Sequence, residues 1–161
     1  MVGTLIIVSC GKSKLWDRDP AHGPAKAQDA YIGAPFRINR AYAERFGDEW
    51  IVLSAKYGFV HPGFQVAGPY EVTFKHEKTG PIKISQLQAQ VQQLDLHRFS
   101  TVVGLGGVEY RRVIGLAFAN QPVSLEFPFA GQRLGIMMRS TKRAIDSGQS
   151  GISLDRDSGS P

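Results

Sequence analysis

Four short apolar runs punctuate the chain, and a polar or glycine-rich turn follows each of the first three. Residues 3–9 (GTLIIVS), 50–54 (WIVLS), 101–105 (TVVGL) and 123–127 (VSLEF) are rich in β-branched and aromatic side chains and predict buried strands. Between them the period changes. Phe36, Ala43 and Phe46 recur at helical spacing and Gly47 stops the run, which predicts a helix over 36–46. Ile84, Leu87, Val91 and Leu94 share one face of an amphipathic helix over 82–96, and further helices are predicted over 108–119 and 132–145. Residues 10–35 and 56–80 keep no period and are broken repeatedly by glycine and proline. Compact domains rarely keep loops of this length without a use for them.

Strands alternating with helices predict an α/β fold: one domain over residues 1–146, with a mostly parallel four-stranded sheet and helices on both faces. Ligands of such sheets gather at the carboxyl ends of the strands. Both long loops and the Gly104–Leu105–Gly106–Gly107 turn leave those ends, so the candidate chemistry is expected there. After Asp146 the chain turns to serine, glycine and aspartate (SGQSGISLDRDSGSP), which predicts a mobile tail over 147–161.

Composition narrows the class. With 161 residues, 42% of them apolar, the chain is long enough to bury a core without disulfides or a structural metal. Its one cysteine, Cys10, excludes an internal disulfide framework and any cysteine-rich zinc site. The apolar run over 5–8 is too short for a signal peptide or a membrane span, so a cytoplasmic monomer without membrane contact is expected. Lysine and arginine number 19 against 14 acids, a net charge of +5 that favours a polyanionic partner without requiring one.

The first strand ends in Ser9–Cys10–Gly11–Lys12–Ser13–Lys14. Its Gly–Lys–Ser mimics the end of a P-loop, but the earlier glycine of that motif would fall at Ile6, inside the strand, and no helix opens at Ser13. What remains is a turn with two lysines, suited to a phosphate or simply solvated. The lysines would favour the thiolate of Cys10, yet no histidine is assignable as its base, and a small buried residue is the plainer reading. The four histidines are too scattered for a metal site, so neither metal nor cofactor is expected.

Gly104, Gly106 and Gly107 open like a dinucleotide fingerprint whose sixth position is Glu109, not glycine. Gly106 and Gly107 still offer backbone N–H groups to an anion at a helix start, or else serve close strand-to-helix packing. Ser54, Lys56 and Tyr57 after the second strand, and Tyr70–Glu71 further on, interleave aromatics with charge. Such loops can stack a base, and they also pack onto cores. Arg133, Arg139, Lys142 and Arg143 make the last helix basic, either a solvated face or a source of phosphate contacts.

Three segments in order, IVSCGKSK, AKAQDAYIGAPFRINRAYAE and WIVLSAKYGFVHP with PYE, carry a further signal. The succession S-C-G-K-x-K, D-x-Y-x-G-x-x-F-x-x-x-R-x-Y-A, L-S-A-K-Y-G-[FL]-[VL]-x-P resembles a family of small bacterial proteins distantly related to the peroxide-stress protein YaaA. That resemblance implies DNA binding and protection from oxidative damage. Within it the chain is similar to Brig-type DNA glycosylases, which remove modified bases from phage DNA. It implies an outline like that of uracil-DNA glycosylases. The GQDPYH-like water-activating motif of the latter is absent, so ordinary uracil excision is not expected.

Glycosidic cleavage in DNA builds positive charge on the sugar and negative charge on the leaving base, and the base must first leave the duplex. A site needs a carboxylate, an aromatic stacker, donors for the base and grips for phosphate. Asp29 and Glu71 are the candidate carboxylates, and Tyr31, Tyr57 and Tyr70 the candidate stackers. Ser9, Cys10, Gly11, Lys12, Lys14, Arg40, Ser54 and Lys56, with Gly106 and Gly107, are the candidate base and phosphate contacts. Arg139, Lys142 and Arg143 extend the cationic surface. The expected activity is excision of a modified base from duplex or single-stranded DNA, in defence against phage. The alternatives are a non-catalytic YaaA-like DNA-binding stress protein and an enzyme of free nucleotides or nucleosides, against which the basic helix weighs.

Overall fold

The computed structural model describes residues 3–152. In chain order its elements are β1 (Thr4–Ser9), β2 (Ala25–Lys26), the one-turn α1 (Ala27–Ala30), α2 (Ala34–Phe46), β3 (Glu49–Ser54), β4 (Gly58–Val60), β5 (Gln65–Val66), α3 (Ile84–Gln93), β6 (Thr101–Leu105), α4 (Val108–Ala117), β7 (Ser124–Glu126) and α5 (Leu134–Ser147). Five strands form one sheet in the order β4-β3-β1-β6-β7. The pairs β1–β3, β1–β6 and β6–β7 are parallel and β3–β4 is antiparallel.

The fold is therefore α/β with a mostly parallel sheet, but the sheet has five strands rather than four, because an antiparallel edge strand, β4, makes it mixed. The extra strand escapes sequence patterning because its three residues lie inside the glycine- and proline-rich loop over 56–80. Gly58, at φ +79°, turns the chain back after β3 so that Phe59 and Val60 pair with Leu53 and Val52. A second small ribbon, β2–β5, ties the two long loops together.

Alternation along the strands builds two cores. Ile6, Val8, Val52 and Val103 face Phe36, Tyr42 and Ala43 of α2 and Ala144 of α5. Leu5, Ile7, Ile51, Leu53 and Val102 face Leu87 and Val91 of α3 and Val113 and Ile114 of α4. Burial on both faces is why β1 reads as one unbroken apolar run. From β1 the chain crosses to β3 on one side, then returns past β1 to β6 and moves outward to β7. The order reverses between β1 and β6, where sheets of this kind hold their ligands.

Of the tail expected over 147–161, residues 153–161 lie outside the described residues. The stretch before them is docked. Gly148 caps α5 at φ +75°, Ser150 and Ile152 are buried, and the Tyr42 hydroxyl donates to the Ser150 carbonyl. Burying an isoleucine stabilises by about 2 kcal/mol. At roughly 2–4 °C per kcal/mol for a domain of this size, truncation after Asp146 is expected to lower Tm by about 4–8 °C. An unchanged Tm in a thermal melt would show that the docked segment contributes nothing. Among the described residues no helix is long and apolar enough to cross a membrane.

Candidate functional site

At the carboxyl end of β1 the backbone is clamped from both sides. The Cys10 N–H donates to the Leu53 carbonyl of β3 at 3.1 Å, and the Ser9 hydroxyl donates to the Leu105 carbonyl of β6 at 2.8 Å. Gly106 turns into α4 at φ +149°, and a Cβ there would fall 2.1 Å from the Ser9 Oγ, so this turn requires glycine. Arg111 closes it by donating to the Gly106 carbonyl at 2.8 Å.

Beyond Gly11 the loop folds Lys14 inward. Its backbone bridges to Tyr31, and its N–H donates to the Asp17 carboxylate at 2.9 Å. Lys14 as a residue is 6% exposed, with its ammonium 4.5 Å from the Tyr70 ring centroid and donating to the Lys12 carbonyl at 3.1 Å. Burial holds this amine below its ordinary value of 10.5, while Cys10, Asp17 and Glu71 pull the other way.

Tyr70 is the hub. Its hydroxyl lies 2.7 Å from the Ser54 Oγ and 2.6 Å from the Tyr31 hydroxyl. The Ser54 oxygen already accepts the N–H groups of Lys56 and Tyr57, so its proton goes to Tyr70 and the Tyr70 proton to Tyr31. The Cys10 Sγ lies 3.3 Å from the Tyr110 hydroxyl of α4. Burial raises the Tyr31 pKa from 10.0 to about 12 and pushes Tyr70 and Tyr110 up as well, with the neighbouring Cys10 adding to each shift.

The mouth of this cluster is charged and aromatic. Lys56 is exposed, with its ammonium 5.2 Å from the Tyr57 ring centroid and 5.5 Å from that of Tyr70. Tyr57 is half-buried, meets Tyr70 edge-on at 5.7 Å and packs against the exposed Phe64 at 5.1 Å. Glu71 is exposed and Lys14 feels its charge.

The fold thus gathers Ser9, Cys10, Gly11, Lys12, Lys14, Tyr31, Ser54, Lys56, Tyr57, Tyr70 and Glu71 at one edge, with Gly106 and Gly107 adjoining through Ser9. Their parts differ from the sequence reading. Tyr31 and Tyr70 are buried and joined by their hydroxyls, which leaves Tyr57 as the ring able to stack. Cys10 is buried under Tyr110.

Asp29 stands apart, exposed in an open cleft of about 360 Å³ with Gln28, Arg37 and Arg40; Tyr31 lines the same cleft. Arg40 is held in place by Glu44, the Gln28 carbonyl and the face of Trp50. Arg139, Lys142 and Arg143 are exposed and make no ion pair among the described residues. Met137 of α5 lines a small cavity with Gly106 and Arg111. At 1.5 Å per residue, Lys142 and Arg143 sit about 12 Å along the helix from its start.

Two residues of the cluster carry little sequence signal. Tyr110 was identifiable only as the third residue of the helix behind a glycine turn. Phe64 is one aromatic among several in a glycine- and proline-rich loop. Among the described residues no group of three or more His, Cys, Asp or Glu could hold a metal ion.

The model of a family of unknown function (DUF6884) matches residues 5–143, which include both site loops. An uncharacterized protein, YfjM of Bacillus subtilis (strain 168), is 34% identical over 143 residues, covering 88% of this chain and 95% of that protein. No solved structure matches the chain.

Proposed function

The chain belongs to this family of unknown function, DUF6884, and from the site it carries we propose that it hydrolyses the N-glycosidic bond of a modified base in DNA. One observation carries the reading: an exposed carboxylate, Glu71, follows directly on Tyr70, the hub of a buried hydroxyl and ammonium cluster at the sheet's carboxyl edge. Cleavage of the bond leaves positive charge on the sugar, and a carboxylate at that point stabilises the cation or activates water. Tyr57, backed by Phe64, offers a face for the extruded base. Lys12 and Lys56, both exposed, are placed to hold the flanking phosphates.

The motif order similar to Brig-type glycosylases supports the same reading. With it go an outline like that of uracil-DNA glycosylases, a cytoplasmic setting and a role against phage DNA. The test is incubation with duplex and single-stranded DNA carrying assorted modified bases, followed by alkaline cleavage to reveal abasic sites. At least one modified DNA is expected to be cut while unmodified DNA stays intact. If none is cut but DNA is bound, the exposed cations of α5 favour a non-catalytic YaaA-like binding protein instead.

A further inference from the structure

Three lysines stand at this edge in two different settings. Lys12 and Lys56 are exposed, as suits a phosphate grip, which works from water with a mobile ammonium. Lys14 is 6% exposed and has no carboxylate within ion-pair distance among the described residues. The nearby Asp17 carboxylate is taken by the Lys14 backbone N–H, and the side chain spends one of its three donors on the Lys12 carbonyl. A buried ammonium without an anion is costly, and the cost falls when the amine is neutral. Neutral, desolvated lysines are the ones that attack carbonyl carbon. Lys14 packs its ammonium on the aromatic face of Tyr70, whose hydroxyl is taken up by Ser54 and Tyr31, and the exposed Glu71 is near enough for Lys14 to feel its charge.

We propose that Lys14 forms an imine with the ring-opened aldehyde of an abasic site, capturing and nicking the DNA from which a base has been removed. The inference rests on the reading of this edge as a deoxyribose site. In the first step the neutral Nζ adds to C1′, and the carbonyl oxygen leaves as water with both amine protons. In the second, a C2′ proton passes to the Glu71 carboxylate. The C2′–C3′ double bond forms, and the phosphate on C3′ departs with the C–O electron pair. Hydrolysis of the conjugated imine by water then returns the free amine.

The experiment mixes the full chain with an oligonucleotide whose aldehydic abasic site is made beforehand, with and without sodium cyanoborohydride. Hydride reduction of the imine is expected to yield a covalent protein–DNA adduct, mapped by peptide mass to Lys14. Without reductant, the strand is expected to be nicked at the abasic site. Lys14→Arg, which keeps the charge and most of the bulk, is expected to lose the adduct while still giving a cooperative thermal melt. An adduct on another residue, or none from the folded parent protein, would overturn the proposal. Lys14 as a mere fastener of the 10–14 turn forms no adduct at all. Because the abasic site is supplied ready-made, the result is independent of base release. Trapping without excision rejects the glycosylase alone, and excision without trapping rejects the amine alone.

Discussion

Glu71→Gln is expected to lower base release by about 10²–10³-fold, while Asp29→Asn leaves it near the parent rate. The amide keeps the size of the carboxylate and removes its charge, and that charge matters mainly once the sugar has become cationic. The loss should therefore appear in kcat, with DNA affinity unchanged or tighter as repulsion between Glu71 and phosphate is relieved. Asp29 is a fair control because it is exposed in the adjoining cleft, not beside Tyr70. Single-turnover base release and equilibrium DNA binding, measured on both variants, separate the outcomes. A loss confined to Asp29→Asn would move the chemistry into the cleft lined by Arg37 and Arg40. Full turnover in both would reject a carboxylate mechanism at either position.

The choice between those two carboxylates shows where sequence reading stops. The strand cores were legible because β1, β3 and β6 are buried on both faces and must be apolar without interruption. The main helices were legible from their period, to within a few residues at the ends. Three-residue β4 and two-residue β2 and β5 were not, because they lie inside glycine- and proline-rich loops, whereas three-residue β7 sits in the apolar run over 123–127. Ile152 was lost for a related reason. A single apolar residue in a serine- and glycine-rich stretch carries no pattern, yet it fills a place in the α2–α5 core.

The site divides in the same way. That its residues would lie at strand ends followed from the alternation of elements. Which of them turn inward did not. Lys12 and Lys14 are two residues apart and chemically identical in sequence, but only Lys14 is drawn under Tyr70, by a bridge to Tyr31 and a bond to Asp17. The contacts that decide roles join residues far apart in the chain, Tyr31 with Tyr70 and Cys10 with Tyr110, and local spacing does not encode them.

Tyr70→Ala should be the most destabilising change at this edge. Removing a buried aromatic ring costs about 3–5 kcal/mol, and here the ring also supports the Lys14 ammonium. At roughly 2–4 °C per kcal/mol, Tm should fall by about 6–20 °C. Tyr70→Phe isolates the hydroxyl contribution. It leaves Ser54 and Tyr31 without their shared partner, at about 1–3 kcal/mol for each buried polar group so stranded.

The pH dependence of stability carries the same signature. Between pH 10 and about 12 the folded chain keeps the Tyr31 proton that the unfolded chain releases, so stability is lost as pH rises through that window. Tyr70 and Tyr110 are shifted in the same direction and extend the loss. Lys14 acts oppositely. Its lowered pKa means the unfolded chain binds the extra proton up to 10.5, so its contribution improves as pH rises toward that value. Tm is therefore expected to hold or climb on approach to pH 10 and to fall above it, more gently in Tyr70→Phe. Phenolate absorbance should rise with unfolding for the three buried tyrosines, not ahead of it. If those three ionise near pH 10 while the protein remains folded, the hydroxyl cluster is open to water and the site described here is wrong.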